Sequence, residues 1–215
     1  MYRIISIFIL VFLIVFYSCK GLECNSNRVF DFRSAKVFMV STGKAFGTIR
    51  KTNTTVWIDS YGAKMSVLSH SVSDYSNFGL SLSEEHKTLD IVKDDSIYSI
   101  NLITNTGVVC SIDNCADSLC FVRFVFCAYL KHFDVASQGK GLFNDYICDI
   151  VSFFDNQLWL YKGFPLKRVS KSLGDIFTEE VLSFEENCHV DSSKFTIPQN
   201  VKIQNKHTKC LTKNN

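Results

Sequence analysis

Along this chain of 215 residues the apolar positions follow two different rules. Between Ile4 and Phe16 they are continuous except for Ser6, and Arg3 stands just ahead of them. From Val29 onward they come in short runs, many alternating with polar residues and bounded by Asp, Asn, Gly or Ser. Alternation with period two puts the apolar side chains of an extended chain on one face, so these runs predict half-buried strands. "VFDFRSAKVFMV" is the first, "GTIRK" and "TTVWIDS" follow, and "KMSVLSHSV" alternates again. "TLDIVKD" and "SIYSINLIT" are joined by Asp94-Asp95, and "GVVCSID" follows an Asn105-Thr106-Gly107 turn. Short strands joined by turn residues predict an antiparallel meander.

The period then changes. Asp113-Asn114 can cap a helix whose stripe runs through Leu119, Val122, Phe126, Tyr129 or Leu130, and Phe133, at spacings of three and four. Arg123 interrupts this segment, which is too short in apolar residues to span a bilayer. "SQGKG" reads as a loop, after which "NDYICDIVSFF", "QLWLYKG", "FPLKRVSKS" and "IFTEEVLSFEEN" resume the meander, with turns at Asp155-Asn156 and Gly174. The fold class predicted is α+β: a curved antiparallel sheet with one or more helices covering or plugging it.

The continuous N-terminal run is about 13 residues, short of the roughly 20 that a spanning helix needs, and matches the apolar part of an export signal over residues 1–18. An uncleaved anchor is the alternative. No A-x-A site follows the run; Phe16-Tyr17-Ser18-Cys19 does, and it resembles a bacterial lipobox. The Ser-Cys-Lys ending is similar to lipoprotein leaders of the Bacteroidetes kind, although Tyr17 is bulkier than the commonest pattern. This resemblance implies that Cys19 becomes the first mature residue and carries acyl chains, two or three of which suffice for stable membrane attachment. Residues 19–28 then form a tether, 29–203 one folded domain, and 204–215 a lysine- and asparagine-rich tail.

Composition narrows the function classes. With 47% hydrophobic residues the chain is too apolar for disorder. Lys and Arg number 23 against 21 Asp and Glu, interspersed without basic runs, so nothing asks for nucleic acid. Cys110, Cys115, Cys120 and Cys127 lack the paired C-x-x-C knuckles of zinc sites. Setting Cys19 aside leaves eight cysteines, an even number that permits disulfides in an exported chain, while buried free thiols are the equal alternative. Cys188 and His189 are adjacent, so in a strand they point to opposite faces. "GLSLS" falls short of G-x-S-x-G, "QGKG" lacks a phosphate-loop frame, and the segment from Asp134 lacks calcium ligands at early positions. No catalytic set, metal site or cofactor motif emerges.

Two stretches carry a family resemblance. "TTVWIDSYGAKMSV" with "LDIVKDDSIYSINLITNTGV", and then "YICDIVSFFDNQLWLYKGFPLKRVSKSLGDIFTEEVLSFEENCHVDSSKFTIPQNV", together 90 of the 215 residues, resemble the LolA/LolB-like lipoprotein-sorting superfamily and its DUF4412-like relatives. The resemblance implies a half-open antiparallel barrel with helices in its mouth, holding acyl chains in an apolar interior. Under it, Trp57, Tyr98, Trp159 and Tyr161 are candidates for cavity lining or core. On "QLWLYKG" alternation places Trp159 and Tyr161 on one face and Leu158 and Leu160 on the other, so that strand is expected to be covered on both sides. The function expected is a membrane-anchored envelope lipoprotein, not an enzyme, that binds a lipid or an acylated ligand. The alternative is a secreted, disulfide-bonded binding module without an anchor.

Overall fold

The computed structural model describes residues 28–45, 48–77, 80–111, 136–153, 156–172 and 175–205. Cys19 and the helix expected after Asp113 lie outside them. Among the described residues there are twelve strands: β1 (Ala35–Ala45), β2 (Thr48–Asp59), β3 (Lys64–Asn77), β4 (Leu80–Lys93), β5 (Ser96–Asn101), β6 (Thr106–Ser111), β7 (Ala136–Phe143), β8 (Tyr146–Phe153), β9 (Asn156–Tyr161), β10 (Phe164–Ser172), β11 (Asp175–Glu186) and β12 (Lys202–Asn205). They form one sheet in the order β12-β6-β5-β4-β3-β2-β1-β11-β10-β9-β8-β7. Two meanders are therefore joined where β1 pairs with β11. Every pairing among these strands is antiparallel except that of β12 with β6. The sheet is curved and unclosed, as the half-open barrel reading expects, with β12 and β7 at its ends. Among the described residues the helical pieces are 3-10 turns at Ser60–Gly62 and Ser192–Phe195, and no helix is long and apolar enough to cross a membrane.

Several strands are longer than the apolar runs suggest. "GTIRK" and "TTVWIDS" are one strand, β2, and β3 and β4 form a hairpin of 14 residues on each side. The added residues, Thr52-Asn53 in β2, Ser73 to Asn77 in β3 and Leu80 to Lys87 in β4, are mostly polar or charged and give little hydrophobic alternation to read. "SQGKG", expected as a loop, lies within edge strand β7 and pairs with β8 around a register shift between Ser137 and Lys140. Gly139 takes φ +98 there, a conformation that suits a bulge and costs glycine little.

At one end of the sheet three hairpins turn through two residues of positive φ: Asp94-Asp95, Asn144-Asp145 and Lys162-Gly163. Paired positive φ values match the twist of two-residue hairpins, and Asp, Asn and Gly tolerate them best. The Ser60–Gly62 turn closes β2 and β3 at the same end, with Gly62 at φ +94. A Cβ on Gly62 would stand 2.8 Å from Val29 Cβ, so the glycine lets the N-terminal segment lie against this turn.

The core lies on one face, called the inner face here. On β1 and β2 burial alternates: Ala35, Val37 and Met39 face inward opposite Ile58, Val56 and Thr54. Met65 and Val67 on β3, Val92 on β4 and Ile97 on β5 continue the same layer, which joins Val181, Phe164, Leu166 and Cys148 from the second meander. Residues 29–34 seal the end beside the turns. The backbone N–H groups of Val29 and Phe30 donate to Tyr61 O (2.9 and 3.1 Å), and that of Asp31 donates to Lys162 O (3.1 Å). This lacing drives Phe30 and Phe32, both buried, into an aromatic cluster with Phe164 and Phe184.

Candidate functional site

The inner face changes chemistry along its length. Near Phe30 it is apolar, whereas further along the strands Ser41, Thr52, Thr54 and Ser73 are all buried on the same layer. Arg50 Nε donates to Ser73 Oγ at 2.9 Å, and Thr54 and Ser69 share a 3.2 Å hydroxyl contact. Glu179, 5% exposed, pairs in register with Ser41 on one side and Arg168 on the other. Asp90 lies opposite Val67 at the boundary between the two regions and accepts a 2.5 Å hydrogen bond from Ser99 Oγ. Burial pushes its carboxyl above the ordinary value of 3.8, and the Ser99 bond opposes that shift. The arrangement presents hydrocarbon at one end and hydroxyls with charged groups at the other.

The four aromatic candidates separate. Tyr161 and Trp159 pack against the inner core; Tyr161 is 4.8 Å from Tyr146 between ring centroids, and its hydroxyl donates to Glu186 Oε2 at 3.1 Å. Lys167 Nζ lies 5.4 Å from the Trp159 ring. Leu158 is buried as well, outside that core cluster, so β9 is covered on both sides as its two apolar faces foretold. Trp57 and Tyr98 project from the opposite face. Trp57 is in register with Lys36 and Ser66, one residue out of phase with the Val37–Val56–Val67 row. Tyr98 pairs with Ile91 and has Lys93 Nζ 5.9 Å from its ring.

That opposite face carries a feature absent from the sequence reading. After β11 the chain crosses behind the sheet, and the 3-10 turn that ends in the buried Phe195 packs against β3 and β4. Asp191 caps the 3-10 turn, its Oδ1 accepting the Ser193 N–H at 2.8 Å. The Ser193 bonds chiefly hold the Asp191 carboxyl below its ordinary range, with His189 and Lys194 adding to the effect. Between this segment and the sheet opens a cleft of about 370 Å³, lined by Lys36, Trp57, His189, Val190, Asp191 and Lys194. "SKF" lies within the second stretch that resembles the lipoprotein-sorting superfamily, but the place of its Lys194 over Trp57 depends on a contact between distant segments.

Cys110 is disulfide-bonded, whereas Cys148 and Cys188 are free thiols. The described residues hold no group of three His, Cys, Asp or Glu side chains suited to a metal ion.

No family model and no curated protein matches the chain. Solved structures do. An uncharacterized conserved protein from Thermus thermophilus matches 82% of this chain and 92% of its own at 10% identity and a TM-score of 0.52. LprF from Mycobacterium bovis matches 80% of this chain and 91% of its own, at 12% identity and a TM-score of 0.40. A Vibrio parahaemolyticus domain named for outer membrane lipoprotein sorting matches 76% and 89%, at 9% identity and 0.34. At 10% identity the likeness to the Thermus protein is one of fold.

Proposed function

We propose that this protein is a bacterial cell-envelope lipoprotein, anchored through acyl chains on Cys19, whose half-barrel binds a lipid or the acyl chains of a lipoprotein. The observation that carries the reading is the inner face of an unclosed sheet, apolar at the Phe30 end and lined with buried hydroxyls farther along. An amphiphile fits that gradient. Its chain gains roughly 25 cal/mol for each Å² of apolar surface removed from water, and its head finds hydrogen-bonding side chains. Trp159 and Tyr161 belong to the aromatic wall of this face, and the helix expected over residues 113–133 belongs to the proposal as its cover. The LolA/LolB-like motifs support the same reading.

Arg28, whose guanidinium lies 4.1 Å from the Tyr61 ring, marks where the tether leaves the domain, beside the sealed apolar end. An anchor at Cys19 places that end toward the membrane and leaves the hydroxyl-lined end farther away. A permanently anchored protein resembles an acceptor more than a soluble shuttle.

Two measurements test the parts separately. Intact mass of the mature protein should show an N-terminal Cys19 with a diacylglyceryl-type increment; a start beyond Cys19 without one removes the anchor and leaves a secreted binding module. Native mass spectrometry after mild extraction should show retained fatty acid, phospholipid or acylated peptide. A domain that rejects all three removes the ligand and leaves the fold intact.

A further inference from the structure

We infer that the cleft on the opposite side of the sheet is a second binding site, specific for a small anion that carries a flat apolar ring. Its walls differ in kind from the inner face. Trp57 and Val190 supply apolar surface, and the basic residues Lys36, Lys194 and His189 line it with them. Lys194 Nζ lies over the Trp57 ring, 5.1 Å from its centroid, so one cation is held against the indole within the cleft.

The charge balance selects the sign of the ligand. Asp191 is the single carboxylate in the lining, and it is engaged by the Ser193 N–H of its own turn. Lys36 sits opposite Glu185 in the β1–β11 register, yet among the described residues neither Lys36 nor Lys194 lies within 4.0 Å of a carboxylate oxygen. Two ammonium groups therefore face one carboxylate already occupied, and the cleft favours a negative charge. A volume of about 370 Å³ falls within the range of small-molecule sites, roughly 300 to 1,000 Å³, and suits one or two fused rings. The carboxylate, sulfonate or phosphate head would sit among Lys36, Lys194 and His189, with the ring along Trp57 and Val190. Because these residues occupy the face away from Val37 and Val56, occupancy is independent of any lipid on the inner face.

The test is a titration of the isotopically labelled mature protein with 1-naphthalenesulfonate, read by NMR. The indole Nε1–H signal of Trp57 and the amides of residues 189–194 should shift saturably while the Trp159 indole stays in place. The K36Q/K194Q variant, altered only at exposed charges, should bind about tenfold more weakly, the scale of two surface ion pairs. Naphthalenemethanol, which keeps the ring without the charge, and inorganic phosphate, which keeps charge without the ring, should each bind at least about tenfold more weakly. No saturable shift, shifts centred on Trp159, equal binding of the uncharged ring, equal binding of phosphate, or full affinity in K36Q/K194Q would each overturn the assignment.

Discussion

Phe30 and Phe32 lie parallel, with ring centroids 5.2 Å apart and planes inclined by 1°, and Phe164 meets both rings edge-on. Two residues ahead of β1 thus tie the N-terminal segment to the β9–β10 hairpin, far away in sequence. The contact joins the two meanders at the end where the sheet is sealed.

Phe32 is 2% exposed, and its truncation leaves a void that its neighbours cannot fill. Phe32→Ala should cost about 3 to 5 kcal/mol of stability, read as a lower midpoint in urea unfolding. Phe38→Ala, removing a ring that is 37% exposed on the other side of β1, should cost far less. Equal costs would mean that the N-terminal segment does not contribute to the core.

Asp90 gives the fold a pH dependence of unusual sign. Its carboxyl titrates above 3.8 in the folded protein because burial disfavours the charge, so the folded state holds this proton to higher pH than the unfolded chain does. Its contribution to stability therefore falls as pH rises from about 4, the unfolded-chain value, through the folded-state value and is constant above it. Asp90→Asn should leave stability at pH 7 unchanged or raised and remove this component of the pH profile, measured by thermal melts across pH 4 to 8. Ser99→Ala removes the 2.5 Å bond that steadies the carboxylate and should destabilise at pH 7.

Ser66 is fully buried between β2 and β4, and its hydroxyl has no hydrogen-bond partner among the described residues. An unpaired buried hydroxyl costs about 1 to 3 kcal/mol in desolvation. Ser66→Ala should therefore stabilise the protein by about 1 kcal/mol, or roughly 2 to 4 °C in a domain of this size. A fall in melting temperature would show that the hydroxyl is satisfied in solution.

Among the described residues, the free thiols of Cys148 and Cys188 should differ in reactivity. Cys148 is fully buried, and its thiol is pushed up by burial and then by the charge of Asp149; Cys188 is half-buried. Thiolate is the reactive form, so a short pulse of iodoacetamide on the folded protein should label Cys188 well ahead of Cys148 by peptide mass spectrometry. Comparable labelling would place Cys148 outside the core.

The alternation of apolar residues by itself determined that this chain builds an antiparallel meander, and Asp94-Asp95 marked a true hairpin. Local pattern suffices there because a strand that buries one face must repeat every second residue. It also determined that β9 is covered on both sides, since both of its faces are apolar. The polar parts of β2, β3 and β4 escaped notice, and so did "SQGKG" in β7, because these residues are held by backbone pairing within hairpins, which leaves no apolar alternation to read. Only the tertiary structure decided that β1 joins β11 and that the N-terminal phenylalanines close one end. It also decided that Trp57 faces away from the core, toward Lys194, while Trp159 and Tyr161 pack against it. Such assignments depend on register and on long-range packing: a shift of one residue moves a side chain through the sheet, and no short window of sequence records it.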